Sequence, residues 1–454
     1  MSPQLTFRRQ KADIEVTDAL RRRLDARTSL DPDFWSFSHL RSRSGNHALF
    51  QYPAMMVPEL QGALLDDLRA VSPGSGLVYD PFAGSGTVML ESLYRGMDFH
   101  GSDINPLAIL LCQVKANPPS VAAGESAVAR VAARAATIKS PTMPVFAGVD
   151  KWFKPEIKLG LAQLRLAILD EEQLVDRQFL WVCLAETIRL VSNSRISTFK
   201  LHTYTSEEIA RRETDAIKAF KSVGSQNVAH LKQHWERLDL LPASGKKPHV
   251  LLLPGSVSDS WIAPRQADVL MTSPPYGDNK TTVPYGQHSY LPLQWIFHAD
   301  IPGVFDESLL ESTHRIDLMS LGGSFKQADA SRDELCKKSA TLREWLPRID
   351  ERPALRKKVL SFVRDYQRAL SNLSPRLKNG AFCFFTLGER RVGKQTFPFV
   401  DITRELLIAD GHEEVMTIER VLPGSRKRMA AKNSQGATMA QERVLVTRAW
   451  GAGE

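Results

Sequence analysis

Two groups of residues in this chain have the types and spacing to do chemistry. Residues 80–87 read Asp-Pro-Phe-Ala-Gly-Ser-Gly-Thr. Gly84 and Gly86 let the backbone approach a ligand closely, and Thr87 opens a helix whose N–H groups can face a carboxylate. Asp103 comes at the end of the next expected strand, where an acidic side chain can accept both hydroxyl hydrogens of a ribose. The expected contact set of this turn is Asp80, Phe82, Gly84, Gly86, Thr87, Asp103 and Ile104. A bare Gly-x-Gly also closes many tight turns, so the preceding Asp-Pro-Phe and the placing of Asp103 decide for a nucleoside-bearing cofactor. NAD is disfavoured, because Met89 stands where the pyrophosphate fingerprint needs its third glycine. Asp259, after Gly-Ser-Val-Ser, either accepts a hydrogen bond from an adenine amino group or caps a helix or turn.

The second group, residues 272–277, reads Thr-Ser-Pro-Pro-Tyr-Gly. An exocyclic base amine is a poor nucleophile because its lone pair is delocalised into the ring. Acceptors for its hydrogens draw the nitrogen toward sp3 and free that pair for attack. Ser273 Oγ and the Pro274 carbonyl can be those acceptors, on a backbone stiffened by Pro274 and Pro275. Tyr276 offers a ring to stack on an extruded base. In isolation Ser-Pro-Pro-Tyr reads more readily as a proline-rich loop or ligand motif than as a catalytic one. Here it ends the hydrophobic strand Asp268–Thr272 and follows a cofactor turn in the same chain.

Taken together, the two motifs resemble the amino-methyltransferases of DNA, which use S-adenosyl-L-methionine (SAM). The likeness covers most of the chain outside two insertions, with the glycine turn first and the Pro-Pro loop later, like one of that family's permuted arrangements. It implies SAM as cofactor, DNA as partner, no metal, and a catalytic loop of Ser273, Pro274, Pro275 and Tyr276. Ser before Pro-Pro-Tyr usually goes with cytosine N4 in that family, and Asp or Asn with adenine N6; the two amines are too alike for a physical derivation. His47-Ala-Leu-Phe-Gln-Tyr-Pro-Ala resembles the family's element over the methionine end of SAM, which would bring Tyr52 and Pro53 to the pocket. A restriction-modification or defence role would add a cognate endonuclease or defence components as partners. The alternatives are adenine-N6 methylation, a tRNA guanine-N2 methyltransferase and a non-catalytic nucleic-acid-binding protein. The tRNA enzymes share Asp-Pro-Phe-x-Gly-Ser-Gly-Thr but usually carry Asp-Pro-Pro-Tyr. Intact Ser273, Tyr276, Asp103 and Gly84 argue against a dead fold.

The elements that must position these groups follow from pattern. At 454 residues, 43% hydrophobic and 24% charged, the chain has the composition of a soluble globular protein with insertions or a second domain. The sequence has no apolar run of the roughly 18 residues that span a bilayer, and no signal-peptide core, so a cytoplasmic location is expected. Cys112, Cys183, Cys336 and Cys383 lack metal-ligand spacing and are expected to be reduced. The net charge of +8 permits nucleic-acid binding without demanding it.

Alternating strand and helix from Leu77 predicts an α/β, Rossmann-like sheet. Strands are expected at Leu77–Tyr79, Asp98–Ser102, Val250–Leu253, Ala267–Thr272, Ala381–Thr386, Val415–Val421 and Arg443–Ala449. Residues 1–45 read as a charged helical arm. Residues 46–117 and 249–454 form the catalytic domain, interrupted at 118–248 and 298–352, with the third and fourth strands staying adjacent. Helices are expected around Ile157–Leu169, Phe179–Leu190, Glu207–Phe220, Leu355–Leu373 and Val400–Asp410. The first insertion, carrying Arg189, Arg195, Lys200, Arg211 and Arg212, is the candidate target-recognition region, or else a buttress for the sheet. The second, with Arg315, Lys326 and Arg332, is its rival. Tyr285 and Tyr290, amid Lys280, Thr281, Gln287 and His288, suit strand contact, whereas Trp295 is expected to pack. Pro423-Gly-Ser-Arg-Lys-Arg-Met is a basic loop that touches phosphate or is simply solvated.

Overall fold

A computed structural model describes residues 3–40, 42–240, 247–257, 267–277, 283–393, 395–422 and 441–450. Its strands are β1 (Leu77–Asp80), β2 (Asp98–Asp103), β3 (Val250–Pro254), β4 (Ala267–Thr272), β5 (Leu377–Gly388), β6 (Arg390–Val392), β7 (Gln395–Phe397), β8 (His412–Val421) and β9 (Gln441–Ala449). Among the described residues, seven of them make one sheet in the order β3-β2-β1-β4-β5-β9-β8, and β6 and β7 form a separate hairpin. The pairs from β3 through β5 are parallel; β9 runs antiparallel to both β5 and β8. This is the expected Rossmann-like class. β3 and β4 follow each other in the chain, yet β2 and β1 lie between them in the sheet.

A mostly parallel sheet must be covered on both faces, so its central strands carry apolar runs rather than alternation. Leu77, Val78 and Tyr79 of β1 and Val269, Leu270 and Met271 of β4 are all buried. On one face lie α1 (Pro3–Leu30), α2 (Pro58–Val71) and α3 (Thr87–Leu93). The N-terminal helix does not stand free of the fold. Leu20 and Leu24 are fully buried, Arg21 donates to the Val415 carbonyl, and Arg23 and Arg27 both bond Asp67.

Helix α4 (Pro106–Ala116) carries the first insertion: α5 (Val121–Thr137), α6 (Val149–Trp152), α7 (Pro155–Leu169), α8 (Leu174–Val191), α9 (Ser206–Arg211) and α10 (Ala216–Leu238). The single helix expected over Glu207–Phe220 is two. Thr205 and Glu208 form a reciprocal cap on α9, and Asp215 accepts the Lys218 N–H to start α10 afresh. The insertion shares one core with α4 and with α11 (Tyr285–Trp295), so Leu110, Phe179, Leu184, Leu231 and Trp295 belong to the same cluster. The second insertion holds α12 (Arg315–Met319), whose Ile316 joins the core around α11, and α13 (Arg332–Lys338) and α14 (Ala340–Trp345), which pack with α15 (Pro353–Ser371) and α16 (Phe399–Ala409). Hydrogen bonds from Gly322 N to Asp365 and from Ser361 Oγ to the Gly322 carbonyl fasten it to α15. Among the described helices, none is long and apolar enough to cross a membrane.

Strand order turns around between β1 and β4, the place where open α/β sheets bind ligands beyond their carboxyl ends. The glycine turn leaves β1 there and the Ser-Pro-Pro-Tyr loop leaves β4, so the two sequence motifs become neighbours. One buried carboxylate joins them: Asp80 Oδ1 accepts the Phe82 N–H at 3.0 Å and the Thr272 hydroxyl at 2.6 Å. Burial pushes the Asp80 carboxyl up to about 7.

Two outcomes follow from this packing. A Cβ on Gly224 would come within 2.5 Å of Val128 Cγ1 where α10 crosses α5. Gly224→Ala should therefore lower unfolding stability by about 1–3 kcal/mol in chemical denaturation; an unchanged midpoint and slope would show that the crossing has slack. The proton on Asp80 is held more tightly folded than unfolded, so its stabilisation is complete below pH about 4 and is lost as pH rises through about 7. Asp80→Asn removes that titration, and its stability should decline less than the wild type's between pH 5 and 8, by on the order of 1–3 kcal/mol. Equal declines would mean that Asp80 titrates normally.

Candidate active site

A cleft of about 840 Å³, counting space open to solvent, lies beyond the carboxyl ends of β1, β2 and β4. The glycine turn (81–85 and Thr87), residues 103–105, the segment 52–56 and residues 255–257 form one part of its wall. Ser273, Pro275, Tyr285, Ile316, Ser320 and Leu321 form the rest.

The turn is built for close approach. Gly84 and Gly86 have φ of +51° and +75°, the left-handed region that side chains resist. A Cβ on Gly86 would also meet Cys112 Sγ at 2.9 Å. Asp103 holds the turn from β2: one carboxylate oxygen accepts the Gly84 N–H at 2.8 Å, the other the Asn105 N–H at 2.8 Å. Two carboxylate oxygens offer about four acceptor sites, so capacity remains for ligand hydroxyls. Burial raises the Asp103 carboxyl to about 6, although backbone N–H groups pull the other way.

Tyr52 arrives from the segment before the turn. Asn105 caps α4 through Leu107 N and donates its amide hydrogens to Tyr52 Oη at 2.9 Å and Ser289 Oγ at 2.7 Å. The Tyr52 ring stacks on Tyr285, with centroids 5.8 Å apart. Further back, His47 Nε2 meets Glu91 Oε1 at 2.9 Å, and Arg95 and Arg237 bond the other Glu91 oxygen. Burial pulls the His47 imidazole below its ordinary range. Burial alone would raise Glu91, but His47 and the two arginines outweigh it and hold the carboxyl low. This network ties the stretch before Tyr52 to α3 and α10.

Ser273 follows the last residue of β4 on the cleft wall. Its Oγ lies 3.1 Å from Tyr276 Oη, which also donates to Glu442 Oε1 at 3.5 Å, while Arg420 pairs with Glu442 Oε2 at 3.1 Å. The half-buried Tyr276 ring packs beside Phe399 against the edge of the core, 6.4 Å between centroids, rather than lining the cleft. Tyr285 supplies the aromatic wall instead.

Of the residues expected from sequence, Tyr52, Pro53, Phe82, Gly84, Thr87, Asp103, Ile104, Ser273 and Pro275 line one cleft. Asp80, Gly86, Pro274 and Tyr276 are not part of its lining; Asp80 is an interstrand tie, and Tyr276 braces Ser273. Asp259, Lys280, Thr281 and the basic loop from Pro423 to Met429 lie outside the described residues. Trp295 packs in the core, as expected, and Tyr290 is buried with it. Several insertion arginines have partners of their own: Arg189 pairs with Glu186, Arg212 lies over Tyr204, and Arg332 pairs with Asp350. Among the described residues no group of three His, Cys, Asp or Glu side chains could hold a metal ion.

Sequence reasoning missed Asn105, Glu442 and Lys115. Lys115 is 1% exposed and donates to the Ser85 carbonyl at 2.6 Å, directly behind the turn. Burial lowers its ammonium to about 8. The signal was present, since it is the one charged residue in the otherwise apolar helix PLAILLCQVKA. Glu442 left no such trace, because only the β5–β9 pairing, beside β4, brings it near Tyr276.

No family model matches the chain. It is 28% identical over 434 residues, 91% of its own length and 92% of the other's, to the Type II methyltransferase M.MvaI of Kocuria varians. Among solved structures, a SAM-dependent methyltransferase from Methanosarcina mazei covers 83% of this chain and 92% of its own at 10% identity, with a TM-score of 0.28. An rRNA methyltransferase from Streptomyces viridochromogenes covers 90% and 89% at 13% identity, with a TM-score of 0.29. Superpositions that loose carry no weight, and the architecture rests on the strand order itself. The chain is thus similar, along nearly its whole length, to a type II methyltransferase.

Proposed function

We propose that the chain is a DNA methyltransferase that moves the methyl group of SAM to the exocyclic amine of an extruded base, cytosine N4. The observation that supports this most is that Ser273 and the Gly84–Asp103 pair share one cleft. The similarity to a type II methyltransferase over 91% of the chain agrees with it.

The residues present suit SAM. Asp103 keeps acceptor capacity for ribose hydroxyls, and Gly84 lets the backbone approach. Tyr52 and Pro53 would cover the methionine end, with the Lys115 ammonium behind Ser85 favouring a carboxylate nearby. Asp259 is proposed for the adenine amino group. Bound SAM would supply an electrophilic methyl group on a sulfonium.

The remaining work falls to the chain. Ser273 Oγ and the Pro274 carbonyl accept the amine's hydrogens, which localises the nitrogen lone pair and aims it. Pro274 and Pro275 fix that geometry. Tyr285 gives the extruded base an aromatic wall, while Tyr276 holds Ser273 from behind. Cytosine rather than adenine N6 is proposed on the serine of the loop. For DNA, residues 118–248 are proposed to read sequence, and the 298–352 insertion, whose Ile316 and Leu321 line the cleft, to enclose the base. A cognate endonuclease and a cytoplasmic setting accompany this reading.

Base-resolution methylation mapping of DNA from cells expressing the chain should show modified cytosines at one short sequence; unmodified DNA would overturn the proposal. Asp103→Ala should weaken SAM binding roughly tenfold to a hundredfold, the loss of one charge-assisted hydrogen bond of about 1.5–3 kcal/mol. Ribose hydroxyls favour the ionised carboxylate, and the free carboxyl sits at about 6. Wild-type affinity should therefore be flat above pH 6 and fall toward tenfold per unit below it. Calorimetry that finds the same affinity at pH 5 and 8, or in Asp103→Ala, would remove Asp103 from the site.

A further inference from the structure

Behind the proposed catalytic serine runs a chain of polar groups that extends beyond Tyr276 to Glu442 and Arg420, which the reaction as described so far does not use. Ser273 Oγ is 3.1 Å from Tyr276 Oη, Tyr276 Oη donates to Glu442 Oε1 at 3.5 Å, and Arg420 donates to Glu442 Oε2 at 3.1 Å. Arg420 is 3% exposed, and its Nε and second terminal nitrogen have no partner among the described residues. The Arg420 guanidinium on one Glu442 oxygen and the Tyr276 hydroxyl donating to the other both favour the carboxylate form. An ionised Glu442 can only accept, so the Tyr276 hydroxyl donates to it. Ser273 must then donate to Tyr276, and both Ser273 lone pairs are left free to accept.

We infer that Glu442, acting through the Tyr276 hydroxyl, orients Ser273 as an acceptor for the target amine and takes up the proton that the amine releases. This rests on the methyltransferase reading above. The balance is complete. The amine nitrogen forms a bond to the methyl carbon as the carbon–sulfur bond breaks, its electron pair remaining on sulfur. The nitrogen, now positive, gives one N–H proton to Ser273 Oγ. Ser273 passes its own hydroxyl proton to Tyr276, and Tyr276 passes its proton to Glu442. The site then holds a neutral methylated amine and a neutral Glu442, which returns its proton to solvent after product leaves. Glu442 and Tyr276 are positioning residues here, and Ser273 alone of the three touches the base.

Among the groups facing Glu442 are Arg420 on β8 and Tyr276 on the loop. The Arg390 guanidinium packs against Gly277 next along the same loop. The Tyr276 phenol is raised well above 10, first by burial and then by the Glu442 charge.

The test uses the full-length protein with saturating SAM and duplex DNA carrying the mapped site. Tyr276→Phe keeps the ring and removes only the hydroxyl; Glu442→Gln keeps the shape and removes only the charge. Each should lower the single-turnover rate by tenfold or more while leaving SAM affinity by calorimetry within about twofold. The wild-type rate should fall at acid pH as Glu442 is protonated, and Glu442→Gln should be slow and flat over the same range. A readout free of turnover accompanies these: in 13Cζ-tyrosine NMR, Tyr276 should titrate at lower pH in Glu442→Gln than in wild type. Variants that keep wild-type rates and the wild-type acid limb, or a Tyr276 titration unmoved by Glu442→Gln, would overturn the inference. If wild-type protein binds SAM but never methylates DNA, the methyltransferase reading fails, and the NMR arm still decides whether Glu442 governs the Tyr276 hydroxyl.

Discussion

The hydrogen bond from Thr272 to Asp80 is the contact on which the site depends. Residues 80 and 272 are far apart in sequence, and parallel pairing of β1 with β4 brings them side by side. Asp80 then receives the Phe82 N–H from one motif and the Thr272 hydroxyl from the other through the same oxygen. A buried carboxylate costs several kcal/mol unless it is bonded. The fold accepts that cost where a shift of one loop against the other would separate Ser273 from the glycine turn. Its raised proton affinity is the visible mark of the strain in solvation.

Around that tie the structure repeats one device. Polar side chains that a fold would ordinarily leave in water are buried, and each fastens one wall of the cleft to another. Asp103 binds β2 to the glycine turn, Asn105 binds α4 to Tyr52 and α11, and Lys115 binds α4 to Ser85. Glu442 and Arg420 reach the Pro-Pro loop from the far side of the sheet. Reactive groups can thus stand on loops and keep fixed positions. Both insertions pack on this frame through apolar cores and add wall or bulk to it, leaving the sheet order intact.

The meeting of Gly84, Asp103 and Ser273 in one cleft was legible in sequence, because they sit in or just after two contiguous motifs at strand ends that could be placed within a residue or two. What could not be read was anything created by distant pairing. Asp80 looked like a ligand residue, because nothing local shows that Thr272 will reach it. Tyr276 looked like a stacking ring, because only the packing of α16 behind the loop draws its ring toward Phe399. The break at Asp215 was missed because apolar periodicity continues across it, and the side-chain cap wins locally over that pattern.

The account turns on which atom receives the methyl group. Nucleoside mass spectrometry of duplex DNA incubated with the purified protein and SAM reads that atom directly. N4-methyldeoxycytidine, appearing with wild type and absent with Ser273→Ala, is the predicted product. N6-methyldeoxyadenosine in its place would contradict the assignment of the base, and recovery of unmodified nucleosides from protein that binds both SAM and DNA would contradict the account as a whole.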